Sequence, residues 1–198
     1  MIAILDYGMG NLRSVQKAFE SLGADARIVS APAEADRAAR LVLPGVGAFR
    51  DAAERLRASG LDEALLRAAR AGKPVLGICL GMQLMFARSE ENGRYEGLGL
   101  FPGTITRLPA PGLKIPHMGW NTIATRACPL WEAGEEKCVY FVHSYCAAEI
   151  SEDWTAAVCA YGTPFSAAVC RDNVMATQFH PEKSGAAGLE MLRRFTRL

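Results

Sequence analysis

The sequence predicts an α/β protein built on a doubly wound, largely parallel sheet, with an antiparallel extension and helices on both faces. Three observations carry that expectation. Short apolar runs alternate with helically spaced residues through the first half of the chain. Several of those runs give way to glycine-bearing turns. The second half is a series of strand-like runs with little helix between them.

Taken in order, residues 2–5 form an apolar run that breaks at Asp6-Tyr7-Gly8-Met9-Gly10-Asn11. Leu12, Val15, Phe19 and Leu22 then recur at helical spacing up to Gly23, so the segment reads as strand, glycine turn and helix. Residues 27–30 supply a second strand, followed by a weakly helical, alanine-rich stretch. A third strand, Leu41-Val42-Leu43, is cut off at Pro44-Gly45-Val46-Gly47. Helical patterns over residues 48–58 and 61–71 lead to Lys73-Pro74 and then to Val75-Leu76-Gly77-Ile78. That run is of the kind buried on both faces, and it ends at Cys79. A helix is expected over residues 82–88. Runs at residues 103–108, 139–145, 155–161, 166–170 and 174–179 read as strands, and Leu189, Leu192 and Phe195 share one face of a closing helix. Residues 1–198 are expected to form a single, flavodoxin-like domain whose reactive loops lie at the carboxyl ends of the strands.

Composition narrows the function classes. The 198 residues include 22 Lys plus Arg against 21 Asp plus Glu, a net charge of +1, so no global field exists to concentrate nucleic acid or anionic lipid. With half its residues hydrophobic, the chain can bury a substantial core, and disorder is excluded. No apolar stretch approaches the ~18 residues of a membrane span, and the N-terminus lacks the pattern of a signal peptide, which points to the cytoplasm. In that compartment the six cysteines are expected to be reduced.

Gly77-Ile78-Cys79-Leu80-Gly81 is the sharpest local signal. It has the form of a nucleophile elbow, in which a strand turns so tightly into a helix that a Cβ is crowded on either side of the nucleophile. Cys79 would lie at a helix N-terminus, where unpaired N–H groups favour the thiolate. A thiolate needs a proton shuttle, and of His117, His143 and His180 only His180 stands beside a carboxylate at a useful spacing. In His180-Pro181-Glu182, the proline biases its predecessor toward an extended backbone and sets residues 180 and 182 on the same side. The acid can then orient the imidazole. Oxyanion donors are available from the amide of Leu80 and from the turn containing Val46 and Gly47. The two remaining histidines read as hydrogen-bonded core residues. Gly8-Met9-Gly10 before a helix is a weak dinucleotide signal, because Arg13 stands where a third glycine belongs and no acidic residue closes a second strand. No cysteine or histidine spacing suggests a metal, and no cofactor is expected.

Gly-x-Cys-x-Gly, Pro-Gly-Val-Gly and the late His-Pro-Glu stand in the order and spacing of the class I, triad-type glutamine amidotransferases, which this sequence resembles. Within that superfamily, Asp6-Tyr7-Gly8-Met9-Gly10-Asn11, Pro116-His117-Met118-Gly119-Trp120-Asn121, Phe141-Val142-His143-Ser144-Tyr145 and His180-Pro181-Glu182-Lys183-Ser184 are similar to the glutaminase subunits of imidazole glycerol phosphate synthases. The resemblance implies that Cys79 attacks the side-chain amide of L-glutamine, that His180 moves protons and that Glu182 orients it. It assigns Gln83, Glu91, Ser144 and Tyr145 to the glutamine main chain. It implies a heterodimer with a (β/α)8 cyclase that consumes the released ammonia in histidine biosynthesis, with Tyr140, His117, Trp120, Asn121 and Lys183 near the contact surface. It further implies that the turn from Pro44 to Gly47 switches between two states according to the cyclase ligand. Cys146 is a departure, placing a second thiol near the glutamine pocket. Other readings remain open on the sequence: the glutaminase of anthranilate, guanylate or pyridoxal phosphate synthesis, or a thiol sensor or scaffold without turnover.

Overall fold

The computed structural model describes residues 1–198. Its main sheet has nine strands: β1 (Ile2–Leu5), β2 (Ala26–Val29), β3 (Arg40–Gly45), β4 (Val75–Cys79), β8 (His117–Thr125), β9 (Glu136–His143), β11 (Thr155–Tyr161), β12 (Thr163–Arg171) and β13 (Val174–Thr177). Their spatial order is β2-β1-β3-β4-β13-β12-β11-β8-β9. The first five are mutually parallel, and every later pairing is antiparallel. A separate four-stranded sheet holds β5 (Phe86–Ser89), β6 (Tyr95–Glu96), β7 (Phe101–Arg107) and β10 (Tyr145–Ala148), in the order β10-β7-β5-β6.

Alternation along the parallel strands builds two cores. Ile2, Ile4, Val42, Leu76 and Ile78 face α1 (Leu12–Ser21) and α6 (Gly185–Phe195), meeting Phe19, Leu192 and Phe195. Their neighbours Ala3, Leu5, Leu41, Leu43 and Val75 face the other way, toward α3 (Phe49–Ser59), α4 (Leu61–Arg70) and the small sheet. Strands packed on both faces have no solvated side, which is why they read as unbroken apolar runs rather than alternating ones. A short α2 (Pro32–Arg37) fills the alanine-rich stretch. No helix is long and apolar enough to cross a membrane.

The sequence pattern errs in three places. The expected helix over residues 82–88 is only α5 (Leu80–Leu84), and Phe86–Ser89 is a strand of the small sheet. Its apolar residues suit either period over so short a length. The strand β8 is absent from the apolar pattern, because alternate residues such as Met118 and Trp120 point outward and Gly119 interrupts it at φ +129°. The run at residues 139–145 is two strands in two sheets, divided at Ser144.

Candidate active site

Register carries the chemistry to one place. Gly45 of β3 pairs with Cys79 of β4, and Thr177 of β13 pairs with Ile78, so three adjacent parallel strands end together. Their carboxyl ends present the Pro44–Gly47 turn, Cys79 and the segment leading to His180.

Cys79 has φ 55° and ψ −109°, a left-handed backbone held by what surrounds it. A non-glycine residue held there stores roughly 1–3 kcal/mol of strain. Both flanking glycines are sterically required. A Cβ at Gly81 would stand 1.8 Å from the Leu43 carbonyl oxygen, and one at Gly77 would stand 3.0 Å from the Met82 backbone nitrogen. The elbow is therefore clamped between β3 and the turn that follows it. The helix it opens has five residues, too short to supply much of the dipole effect expected from the sequence.

His180 is almost wholly buried, and its Nδ1 lies 2.8 Å from Glu182 Oε1, whose side chain is also buried. A turn of 3-10 helix over Pro181–Lys183 carries that carboxylate. His180 Nε2 is buried without a hydrogen bond to any group of the chain, while the Cys79 sulfur beside it is close enough to favour the protonated ring. Burial alone would lower the pKa of His180, but Cys79 and Glu182 outweigh it and push the value up to about 9.

A cavity of about 330 Å³ opens over this pair. Val46, Gly47 and Leu80 line it with Cys79 and His180, and so do Gln83, Glu91, Ser144 and Tyr145. Gln83 Nε2 donates to the Tyr145 carbonyl at 3.1 Å, and Glu91 Oε2 accepts from the Phe49 amide at 2.8 Å at the start of α3. The expected nucleophile, base, acid, oxyanion donors and glutamine ligands thus converge.

Residues 3–197 match the family described as Glutamine amidotransferase class-I. The chain belongs to the class-I glutamine amidotransferases. It is 52% identical over 203 residues to the imidazole glycerol phosphate synthase subunit HisH of Syntrophotalea carbinolica, with 98% of both chains covered. It is 51% identical over 199 residues to the protein of the same name from Methanothermobacter thermautotrophicus, covering 100% of this chain and 98% of that one. A crystal structure of a glutamine amidotransferase superposes with a TM-score of 0.79 at 18% identity, covering 100% of this chain and 99% of that one. PurLQS from Thermotoga maritima gives 0.79 at 20% identity, covering 99% and 97%. At those identities the likeness is one of fold.

The remaining predicted residues of this amidotransferase fall into two groups. Trp120 is 57% exposed and pairs across the β8–β9 ladder with Tyr140, ring to ring at 6.1 Å, and Lys183 Nζ lies 5.9 Å from the Tyr140 ring. Asn121, half-buried, donates to the Ala160 carbonyl at 3.0 Å. His117, by contrast, is not a surface residue. It is buried, stacked on Tyr161 at 4.0 Å, and its Nδ1 lies 3.0 Å from His143 Nε2. The core reading holds for both histidines, although His143 also reaches the cavity wall. Cys146 requires a correction as well. It is the next residue after Tyr145 on β10, and alternation turns it into a different hollow, of about 420 Å³, shared with Arg126, Ser166 and Phe165. Burial pushes its thiol up to about 11.

Sequence reasoning missed Gln178. It is fully buried, accepts from Gln83 Nε2 at 3.1 Å and donates through its Nε2 to Cys79 Sγ at 3.8 Å. The available signal was a lone amide inside the apolar run at residues 174–179.

Proposed function

We propose that residues 1–198 form one catalytic unit, the glutaminase subunit of an imidazole glycerol phosphate synthase, which releases ammonia from L-glutamine for a (β/α)8 cyclase partner in histidine biosynthesis. The observation that carries this reading is the buried Cys79, His180 and Glu182 constellation, of which Cys79 and His180 line the cavity. Near-full-length identity of about half to proteins named HisH supports this pathway over anthranilate, guanylate or pyridoxal phosphate synthesis.

In this mechanism the Cys79 thiolate adds to the side-chain carbonyl carbon of glutamine. Negative charge gathers on the amide oxygen, where the Leu80 amide and one from the Val46-Gly47 turn receive it. Protonated His180, held by Glu182, gives its Nε2 proton to the departing nitrogen as the C–N bond breaks. Ammonia leaves, and a thioester remains on Cys79. His180, now neutral, takes a proton from water, whose oxygen attacks the thioester carbon and frees glutamate and the sulfur. Gln83, Glu91, Ser144 and Tyr145 hold the glutamine main chain. Ammonia released into water at neutral pH becomes ammonium and ceases to be a nucleophile, which gives direct delivery to the partner its purpose.

The decisive experiment mixes the chain with the cyclase subunit, its ribulosyl phosphate substrate and glutamine, and follows glutamate and imidazole product together. Coupled release is expected, and it disappears in Cys79→Ala. Glutamate formation that survives Cys79→Ala overturns the nucleophile assignment, and a failure to form imidazole product overturns the pathway.

A further inference from the structure

We propose that Gln178 is a further catalytic residue, a neutral donor that holds the Cys79 sulfur in its anionic form and keeps it aimed at the substrate. This rests on the glutaminase reading and adds to it a group that the triad does not contain. Register puts Gln178 there: β13 and β4 are paired through Thr177 and Ile78, so Gln178, the residue just past the end of β13, follows level with Cys79 at the end of β4. The Gln178 amide nitrogen donates to the Ala167 carbonyl at 2.8 Å, which fixes the backbone behind the elbow.

The orientation of the side chain is determined by its neighbours. Gln83 Nε2 donates both to the Tyr145 carbonyl at 3.1 Å and to Gln178 Oε1 at 3.1 Å. With Oε1 committed to a donor, the Nε2 end of Gln178 is the one left to meet the sulfur, at 3.8 Å. The whole side chain is buried, so no water competes for either end. Gln178 does not itself line the cavity, which it meets through Gln83 and Cys79.

The sulfur has two opposed partners among neutral groups. As a thiol it donates to the Val142 carbonyl at 3.9 Å, an acceptor that favours the protonated state. The Gln178 N–H favours the anion instead. A cation in that position would also favour the anion, but it would work against protonation of His180, which must carry the proton for the leaving nitrogen. A neutral amide avoids that conflict. The short helix after Cys79 contributes little dipole, so the Gln178 donor acts on the sulfur together with the protonated His180 ring rather than with a helix N-terminus.

The test uses Gln178→Met and Gln178→Glu in the chain assembled with its cyclase and cyclase ligand, with melting curves to confirm folding. Cys79 alkylation by iodoacetamide is followed by peptide mass spectrometry, because the exposed Cys138 will react as well. In Gln178→Met the pH profile of Cys79 alkylation should move upward by about one pH unit, and kcat should fall about tenfold with KM for glutamine unchanged. Gln178→Glu keeps the acceptor for Gln83 but sets a carboxyl group against the sulfur, so its alkylation profile and kcat should suffer more. A role limited to holding Gln83 predicts the reverse order, with Glu close to wild type and Met worse, and that order overturns the proposal. Unchanged profiles and kcat in the folded Met variant overturn it as well, even where the Glu variant does not fold. If Cys79→Ala retains hydrolysis, the glutaminase reading has failed; if Cys79→Ala is dead and the Gln178 variants are normal, only this proposal has.

Discussion

His180 and His143 stand on the same cavity wall and titrate in opposite directions. The protonated ring of His180 is favoured by Cys79 and Glu182 against the pull of burial, to a pKa of about 9. The ring of His143 is kept neutral, mainly by burial, and is lowered to about 4 even though it donates to the Tyr145 carbonyl. Linkage gives each a stability window. The contribution of His180 is complete below the unfolded value of about 6.5 and is lost as pH rises through 9. That of His143 is complete above about 6.5 and is lost as pH falls through 4. Melting temperature should therefore decline on both sides, and Glu182→Gln should flatten the alkaline side while shifting the alkaline limb of the hydrolysis rate to lower pH. The same variant should lose roughly 10²–10⁴-fold in kcat, by analogy with the loss of the acid in other triads. An alkaline limb that stays in place in Glu182→Gln contradicts the assignment of Glu182. At this scale the grouping of Cys79, His180 and Glu182 was readable because each carries a local mark: two glycines around Cys79, and a proline between His180 and Glu182. Gln178 has no such mark, since its partners lie on other strands.

Among the elements, the contact of α6 with the turn before it is as tight as the elbow. A Cβ at Gly188 would stand 1.9 Å from the Pro181 carbonyl oxygen, in the turn that carries Glu182. Ser184, at the head of the same helix, donates to the His180 carbonyl at 2.6 Å and accepts from the Tyr140 amide at 3.0 Å. The helix thus sets the height of the acid beneath the base. Gly188→Ala should lower unfolding free energy by about 2–4 kcal/mol, read by urea denaturation, and should reduce hydrolysis beyond what the loss of folded protein explains. A variant with wild-type stability would show that the helix can slide. The first-half strands and helices were legible because their burial is periodic and uninterrupted. The boundaries of β5 and β8 were not, since β5 offers four residues and β8 alternates with an exposed face. Pairing partners decide such strands, and the strands they pair with are not visible in a local apolar pattern.

The whole molecule leaves several large apolar side chains in solvent. Met118 is 62% exposed, Trp120 57% and Val46 41%, with Tyr140 beside Trp120 and Lys183 over the Tyr140 ring. Trp120 is of the kind that anchors an interface, and Trp120→Ala should weaken binding of the cyclase by about 10–100-fold, measured by titration. An unchanged Kd would place the docking surface elsewhere. Val46 lines the cavity from the Pro44–Gly47 turn, where Gly47 has φ +100° and the buried Tyr7 hydroxyl donates to the Pro44 carbonyl at 2.9 Å. A turn tied at one end and exposed at the other suits a two-state element, and cyclase ligand should raise the rate of glutamine hydrolysis in the complex. Equal rates with and without the ligand would mean that the turn is fixed. The parallel order and the end of the sheet that reacts were both legible from the chain, but the separate small sheet was not, because β5 and β6 are very short and β10 joins it from a run that begins in the large sheet.

Ser144 lies between β9, in the large sheet, and β10, in the small one, and the next residue, Tyr145, accepts from Gln83. The seam between the two sheets therefore runs through the cavity wall that Ser144 and Tyr145 line. Width at that wall is thus set by how the two sheets are joined at a single residue, Ser144.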